Sequence, residues 1–106
     1  MKVKVIQKHL GEGQFPTFKE EAPVMITEEC THYLNWLACE INEHQTYVPK
    51  AFVCDGKLTR DYNPTELICE EGDVLEVQEI IYAWLIATNK DGVMGWIPAE
   101  AVISVE

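Results

Sequence analysis

The feature of this sequence that most restricts its fold is an internal repeat, in which two stretches of about 50 residues resemble each other. Three blocks of the first copy match three blocks of the second: residues 18–26 match 69–77, residues 36–39 match 84–87, and residues 47–53 match 96–102. The blocks keep their order and nearly keep their spacing, apart from a three-residue insertion in the first copy. A chain of 106 residues that holds two such copies consists of two very small units.

The pair Asp55-Gly56 marks the expected boundary between the copies. Asp-Gly is a strong turn signal, and in this sequence it follows the last matching block of the first copy. We therefore expect one domain at residues 1–54 and a second at residues 56–106, joined by a very short linker.

The hydrophobic residues recur with a period of two, which predicts strands. Leu67 and Cys69 share one alternating phase, and so do Leu75 and Val77, as in strands with one buried face. No segment keeps the three-to-four-residue spacing of an amphipathic helix, so the pattern predicts an all-β fold that closes as a small barrel in each copy. The residues expected in the two cores are Val24, Ile26, Cys39 and Val48 in the first copy, and Leu67, Leu75, Val77, Ala87, Ile97 and Val102 in the second.

Composition restricts the partners. The chain has 18 acidic residues against 8 lysines and arginines, a net charge of -10, which repels a phosphate backbone and an anionic membrane. We therefore expect no nucleic acid and no membrane as partner. Charges interrupt every short apolar run near the N-terminus, and no stretch approaches the roughly 20 apolar residues of a membrane span. These features favour a cytoplasmic location.

The four cysteines are Cys30, Cys39, Cys54 and Cys69. Their spacing contains no Cys-x-x-Cys unit that would place two thiolates on one metal ion. We expect free thiols that pack as small hydrophobic side chains, with no metal site and no cofactor.

Four blocks of the second copy match one family pattern. Residues 66–77 correspond to E-L-S-F-x-x-G-D-x-[LI]-x-V, residues 84–87 to W-W-x-A, residues 95–102 to G-x-[IF]-P-x-x-Y-V, and residues 58–62 stand in the place of A-L-Y-D-Y. The second copy therefore resembles the Src-homology-3 (SH3) domain. Taken with the repeat, the resemblance implies two SH3-like five-stranded barrels in tandem, of the bacterial type.

The resemblance also implies a binding groove. Family members hold extended, often proline-rich peptides between flat rings, because a polyproline II segment has no internal hydrogen bonds and stacks its pyrrolidine rings on aromatic surfaces. The positions that match the family's groove are Trp36, Tyr47, Pro49 and Phe52 in the first copy, and Tyr62, Trp84, Trp96 and Pro98 in the second.

The second copy departs from the family pattern at Arg60 and Ala101, where the family has aromatic residues, and its loop after Tyr62 is short. The first copy keeps aromatic or proline character at its four groove positions but has no clear A-L-Y-D-Y segment. We expect the site in the first copy, where Trp36 and its three companions would line one exposed strip.

Three functions are compatible with these features. The first is a non-catalytic module that binds a protein or peptide segment, including basic ones, through an aromatic groove. The second is a structural or accessory subunit whose aromatic surface is a permanent protein interface. The third, which the sequence favours least, is a small metal protein or enzyme that uses His32, His44 and Cys39.

Overall fold

A computed structural model describes residues 1–11 and 14–105 of the chain. Within these ranges the regular elements are ten β-strands and two single-turn 3₁₀ helices, so the all-β prediction is confirmed. The strands are β1 (Lys2–Val5), β2 (Val24–Glu29), β3 (Trp36–Ile41), β4 (His44–Pro49), β5 (Val53–Cys54), β6 (Lys57–Leu58), β7 (Val74–Ile81), β8 (Trp84–Thr88), β9 (Met94–Pro98) and β10 (Val102–Ser104). The 3₁₀ helices are Lys50–Phe52 and Ala99–Ala101. None of the described elements is a helix long and apolar enough to cross a membrane.

The chain forms two compact units. The first combines Met1–Gln14 with Thr65–Glu106, and we call it the split unit. The second is Phe15–Pro64, which we call the continuous unit.

These units differ from the domains predicted at residues 1–54 and 56–106. The prediction treats Asp55-Gly56 as a linker, whereas this pair forms the turn of a hairpin between β5 and β6 inside the continuous unit. The prediction also assigns β1 to the first domain. In the structure β1 pairs with β7 and β10, close to the other end of the sequence.

The split unit contains one antiparallel sheet with the strand order β10-β1-β7-β8-β9. Strand β1 lies inside this sheet, where Val3 faces Ser104 of β10 on one side and Leu75 of β7 on the other. The alternation of lysine and valine in β1 explains this position. Val3 and Val5 are buried in the core while Lys2 and Lys4 are exposed, as period two requires.

The core of the split unit includes four of the six residues predicted for it, namely Leu67, Leu75, Ala87 and Ile97, together with Val3, Val5, Cys69, Leu85 and Ala101. Val77 and Val102 are partly buried and pack against this core. Gly95 of β9 lies so close to the neighbouring backbone that a Cβ atom there would be 2.9 Å from the Leu67 nitrogen.

The continuous unit contains the sheet β2-β3-β4 and the hairpin β5-β6. Two backbone hydrogen bonds connect them: the Val24 N–H donates to the Gly56 carbonyl, and the Leu58 N–H donates to the Ala22 carbonyl. The resulting order is β5-β6-β2-β3-β4, in which β6 holds the position that β1 holds in the split unit. Strand β6 follows its neighbour β5 directly through the Asp55-Gly56 turn.

The predicted core of the continuous unit is correct for Val24, Cys39 and Val48, which are buried, and wrong for Ile26, which is 42% exposed. Ile26 faces the buried Cys39, and the register between β2 and β3 shifts directly after it. Ile26 is therefore the last regularly paired residue before the bulge, and period two, which relies on a regular ladder on both sides of a residue, is not sufficient to place it in the core.

Two-residue turns connect three of the hairpins, and each needs a positive φ at both turn residues. The pairs are Asn42-Glu43, Asp55-Gly56 and Tyr82-Ala83. Glycine adopts this backbone conformation at no steric cost, and asparagine and aspartate tolerate it. Tyr82 and Ala83, with φ of 44° and 71°, have neither advantage, so the β7–β8 turn is a strained one.

Candidate functional site

The two units share the eight predicted site residues unequally. Tyr62 lies in the continuous unit with Trp36, Tyr47, Pro49 and Phe52, whereas Trp84, Trp96 and Pro98 lie in the split unit. The repeat groups Tyr62 with the second copy. Its backbone pairs instead with Phe18 of the continuous unit, where two hydrogen bonds of 2.8 Å join the two residues.

The continuous unit brings its five predicted residues together. Trp36 on β3 faces Pro49 on β4, and the 3₁₀ helix that follows Pro49 carries Phe52. Tyr62 packs edge-on against Phe52, with ring centroids 5.5 Å apart, and its hydroxyl donates to the Tyr47 carbonyl. Residues 58–62, which the sequence resemblance places in the second copy, therefore belong to the continuous unit and contribute to this cluster.

Arg60 completes this cluster, although the sequence patterns identify it only as a departure from the family. Its guanidinium lies over the Phe52 ring, 4.5 Å from the centroid, which is a cation–π geometry. A guanidinium in this position covers an aromatic face that an open groove would leave accessible.

Burial contradicts the expected exposed strip in the continuous unit. Trp36 is 6% exposed, Phe52 is 5% exposed and Pro49 is fully buried, while Tyr47 alone is open to solvent at 51%. The predicted phase of β3 is correct, since Cys39 lies in the core and Ala38 faces Tyr47. The alternation of side chains along β3 does not by itself predict exposure. Arg60 and Tyr62 cover Phe52, and they come from a segment that the repeat assigns to the second copy.

In the split unit the predicted residues differ in accessibility. Trp96 and Pro98 on β9 are buried, and the Trp96 backbone is bonded on its other side by Thr65 and Leu67 at 3.1 and 2.8 Å. Trp84, which faces Pro98 across β8 and β9, remains half-buried.

A histidine that the sequence patterns do not single out lies against Trp84. The His9 ring packs edge-on to Trp84 with centroids 6.0 Å apart, and the His9 backbone exchanges two hydrogen bonds with Cys69. Its Nε2 donates to the Glu66 carboxylate and its Nδ1 donates to the Leu67 carbonyl, both at 2.9 Å. The hydrogen bond to Glu66 is the largest cause that raises the pKa of His9 above 6.5, although partial burial opposes it.

His9 occupies in the split unit the place that Tyr62 occupies in the continuous unit. His9 pairs with Cys69 and Tyr62 pairs with Phe18, and the repeat aligns Phe18 with Cys69. The repeat contains the information that His9 and Tyr62 correspond. It can be used only after β1 and β6 are known to fill equivalent positions in the two sheets.

Comparison with known families gives one match. Residues 56–105 match the family of the variant SH3 domain. SH3 domains generally mediate protein–protein interactions. No curated protein and no solved structure matches the chain.

The SH3 match and the contacts of the structure assign the first strand differently. The match begins at Gly56 and so includes β6 and the segment up to Tyr62, which belong to the continuous unit. Strand β1, which lies outside the match, completes the sheet of the split unit. The rest of the match, from Thr65 to Val105, falls within the split unit.

The residues weighed for catalysis show no catalytic arrangement in the part of the chain that the structure describes. Burial raises the pKa of the Cys39 thiol to about 12, so it is protonated at neutral pH and is a poor nucleophile. His32 packs on Tyr33 and His44 on Phe18. No group of three histidine, cysteine or acidic side chains within residues 1–11 and 14–105 is placed to hold a metal ion.

The four cysteines carry no disulfide in the structure. Cys39 and Cys69 are buried, Cys30 is half-buried and Cys54 is exposed. The expectation of free thiols stays a prediction, and mass spectrometry after alkylation without reductant tests it.

Proposed function

We propose that this protein is a non-catalytic module that binds a protein or peptide segment containing a basic residue, through a site around Trp84 in the split unit. The observation that carries the proposal is that Trp84 is half-buried whereas Trp36 is buried, and that the His9 ring packed on Trp84 is paired with the Glu66 carboxylate. A half-buried indole that one histidine links to a carboxylate suits an extended peptide that presents an apolar ridge and a cation.

We further infer that both units are SH3-like and that each contains a first strand from outside its own repeat copy. The strand orders support this, since β10-β1-β7-β8-β9 and β5-β6-β2-β3-β4 correspond position by position. In each unit a proline ends a strand, Pro49 in β4 and Pro98 in β9. A 3₁₀ helix then leads into the next strand, β5 or β10. The continuous unit would then be a permuted version of the same barrel.

Charge supports a basic partner for the split unit. It contains ten acidic residues and four lysines, a net charge of -6, while the continuous unit has eight acidic residues against four basic ones. A surface of one dominant sign accelerates encounter with a ligand of the opposite sign and makes the association rate sensitive to salt.

The test compares two tryptophans in the same assay. The probe is a labelled proline-rich peptide with one arginine, and binding is measured by fluorescence anisotropy. We expect Trp84→Ala to weaken binding at least about tenfold while the melting temperature changes little, because a half-buried ring contributes less to the core than a buried one. Trp36→Ala should instead destabilise the continuous unit by about 3–5 kcal/mol.

The opposite result would place the binding site in the continuous unit, as the sequence analysis expected. If Trp36→Ala abolishes binding without loss of stability and Trp84→Ala leaves binding intact, the proposed site is wrong. Tyr47→Ala is the matched control, since Tyr47 is exposed in the continuous unit and belongs to the same set of predicted ring positions.

A structural role is the second candidate, and one observation favours it for the continuous unit. Its ring positions Trp36, Phe52 and Tyr62 are buried within the chain, and Arg60 lies over Phe52. Such a unit would have a structural role in the chain without binding a ligand itself. Retention of peptide binding in a chain with Tyr47→Ala would agree with this role.

A further inference from the structure

We propose that His9 is an internal occupant of the cation position beside Trp84, so that the site is closed by the protein's own imidazolium and a basic ligand must displace it. The inference rests on the proposed function, because it concerns the regulation of the same site. It adds a competitor, and therefore a dependence on pH, that a peptide site alone does not require.

The hydrogen bonding of the ring depends on its charge. The Glu66 carboxylate and the Leu67 carbonyl are both acceptors, and each is 2.9 Å from a different nitrogen of His9. A neutral imidazole has one N–H and can donate to only one of them. Both hydrogen bonds are therefore made at once only by the doubly protonated, positively charged ring.

That charge lies in a partly buried place beside Trp84. The ring lies edge-on to Trp84, and the side chains of His9 and Glu66 are only 16% and 22% exposed. The carboxylate that would attract a ligand's guanidinium is thus already paired, in a partly desolvated place, with the ring that packs on the indole. A ligand cation that reaches Glu66 competes with the imidazolium for the same oxygens.

The other groups around the His9 ring carry no competing charge near neutral pH or are paired elsewhere. Within the described part of the chain, Glu66 is the charged group that shifts the pKa of His9, and Leu67 acts through its backbone carbonyl. On the same segment as His9, Lys8 is paired with Glu70 at 3.6 Å, and β8 contributes the uncharged Trp84. The segment opposite contributes Cys69, whose buried thiol has a pKa raised to about 11 and is uncharged near neutral pH. The contact is therefore one imidazolium with one carboxylate.

The direction of the pH effect follows from this pair. The pKa of His9 in the folded chain is raised, so the closed contact is complete below the unfolded value of 6.5 and is lost as pH rises through the folded value. Above it Glu66 loses its internal partner and accepts an external cation more readily. By linkage, a bound basic ligand must lower the pKa of His9 and release a proton.

The experiment measures affinity at two pH values. The probes are the labelled proline-rich peptide with one arginine and the same peptide with norleucine in place of arginine, at about pH 5.5 and about pH 8.5, on either side of the histidine range. For the wild type we expect the arginine peptide to bind about tenfold more tightly at the higher pH, a factor typical of one hydrogen bond to a charged group. The norleucine peptide should show no such change.

Variants separate the imidazolium from other titrating groups. His9→Gln should bind the arginine peptide equally at both pH values and more tightly than the wild type at the lower one. His44→Gln, which removes an imidazole from the continuous unit, should keep the wild-type pH dependence. NMR titration of His9 in the wild type needs no variant, and its pKa should fall when the arginine peptide is added.

The outcomes distinguish the two proposals. If the arginine peptide binds through Trp84 with the same affinity at both pH values and the pKa of His9 does not change, His9 is not an internal occupant and the proposed function stands. If neither the wild type nor His9→Gln binds the peptide at either pH, the proposed function is wrong, and so is the proposed competition between His9 and a ligand cation for Glu66. Binding by His9→Gln alone would support both.

Discussion

The split unit and the continuous unit use the same strand order but obtain their first strand in opposite ways. In the continuous unit β6 follows β5 through a two-residue turn, so the strand is local in sequence. In the split unit β1 lies between β7 and β10, from which the whole continuous unit separates it in sequence. An equivalent place in a sheet can thus be filled by a hairpin or by a long-range pairing, and the second needs a larger loop-closure entropy.

The same difference sets the chemistry of the two ring clusters. The segment after β6 brings Arg60 and Tyr62, which pack on Phe52 and fill the cluster of the continuous unit. The segment after β1 brings His9, which reaches Glu66 and lies against Trp84. The source of the first strand therefore decides whether the neighbouring cluster is filled by Arg60 and Tyr62 or by a histidine that is hydrogen-bonded to a carboxylate.

The largest expected effect tests which unit β1 belongs to. Val5 is 0% exposed in the core of the split unit, so Val5→Asp would bury a carboxylate among apolar side chains. We expect a loss of about 4 kcal/mol or more, enough to unfold the split unit. In a two-dimensional NMR spectrum the dispersed signals of residues 65–105 should disappear while those of residues 15–64 remain.

The control is Lys4→Asp, an exposed change on the same strand, which should leave both sets of signals in place. If Val5→Asp instead removes the NMR signals of residues 15–54 and leaves those of residues 65–105, the split unit and the continuous unit are wrong. The domain boundary would then lie near Asp55-Gly56.

The next effect compares one register position in the two sheets. Gly95 faces Ala87 in the split unit, and Thr46 faces Cys39 in the continuous unit. Because a Cβ at residue 95 would meet the Leu67 backbone at 2.9 to 3.1 Å, we expect Gly95→Ala to destabilise the split unit by about 2 kcal/mol.

Thermal unfolding of the variant measures that cost. Gly95→Ser should cost at least as much, since it adds the same Cβ. An unchanged melting temperature for Gly95→Ala would show that the segment at Leu67 does not press against β9.

The sequence predicted the parts of the fold that depend on local pattern. Period two identified the buried face of Leu67, Leu75 and Ile97, although the segment of Leu67 forms isolated bridges and not a strand. The matching blocks identified Pro49 and Pro98 as equivalent positions, and they lie opposite Trp36 and Trp84. These predictions need only the alternation of side chains along a strand.

The remainder depends on contacts that local pattern does not contain. The valines of β1 would fit the core of either unit, so their alternation cannot select between them. Arg60 and Tyr62 fall on the far side of an Asp-Gly turn that also looks like a linker. The pairing of His9 with Glu66 joins distant parts of the sequence and follows only after β1 is placed.

The smallest expected effect concerns the turns, where the comparison runs between Tyr82-Ala83 of the split unit and Asp55-Gly56 of the continuous unit. Both turns need positive φ at two residues, but the split unit places alanine at φ 71° where the continuous unit has glycine at φ 74°. Ala83→Gly should remove the steric cost and stabilise the split unit by about 1 kcal/mol, and Gly56→Ala should destabilise the continuous unit by a similar amount. For units of this size that corresponds to shifts of roughly 4–8 °C in opposite directions. The carbonyl of Ala83 accepts the Ala99 N–H at 2.9 Å, so the backbone at residue 83 is held in place and glycine gains by adopting the existing conformation. If Ala83→Gly lowers the melting temperature instead, the entropy that glycine adds to the unfolded chain exceeds the strain energy of the β7–β8 turn.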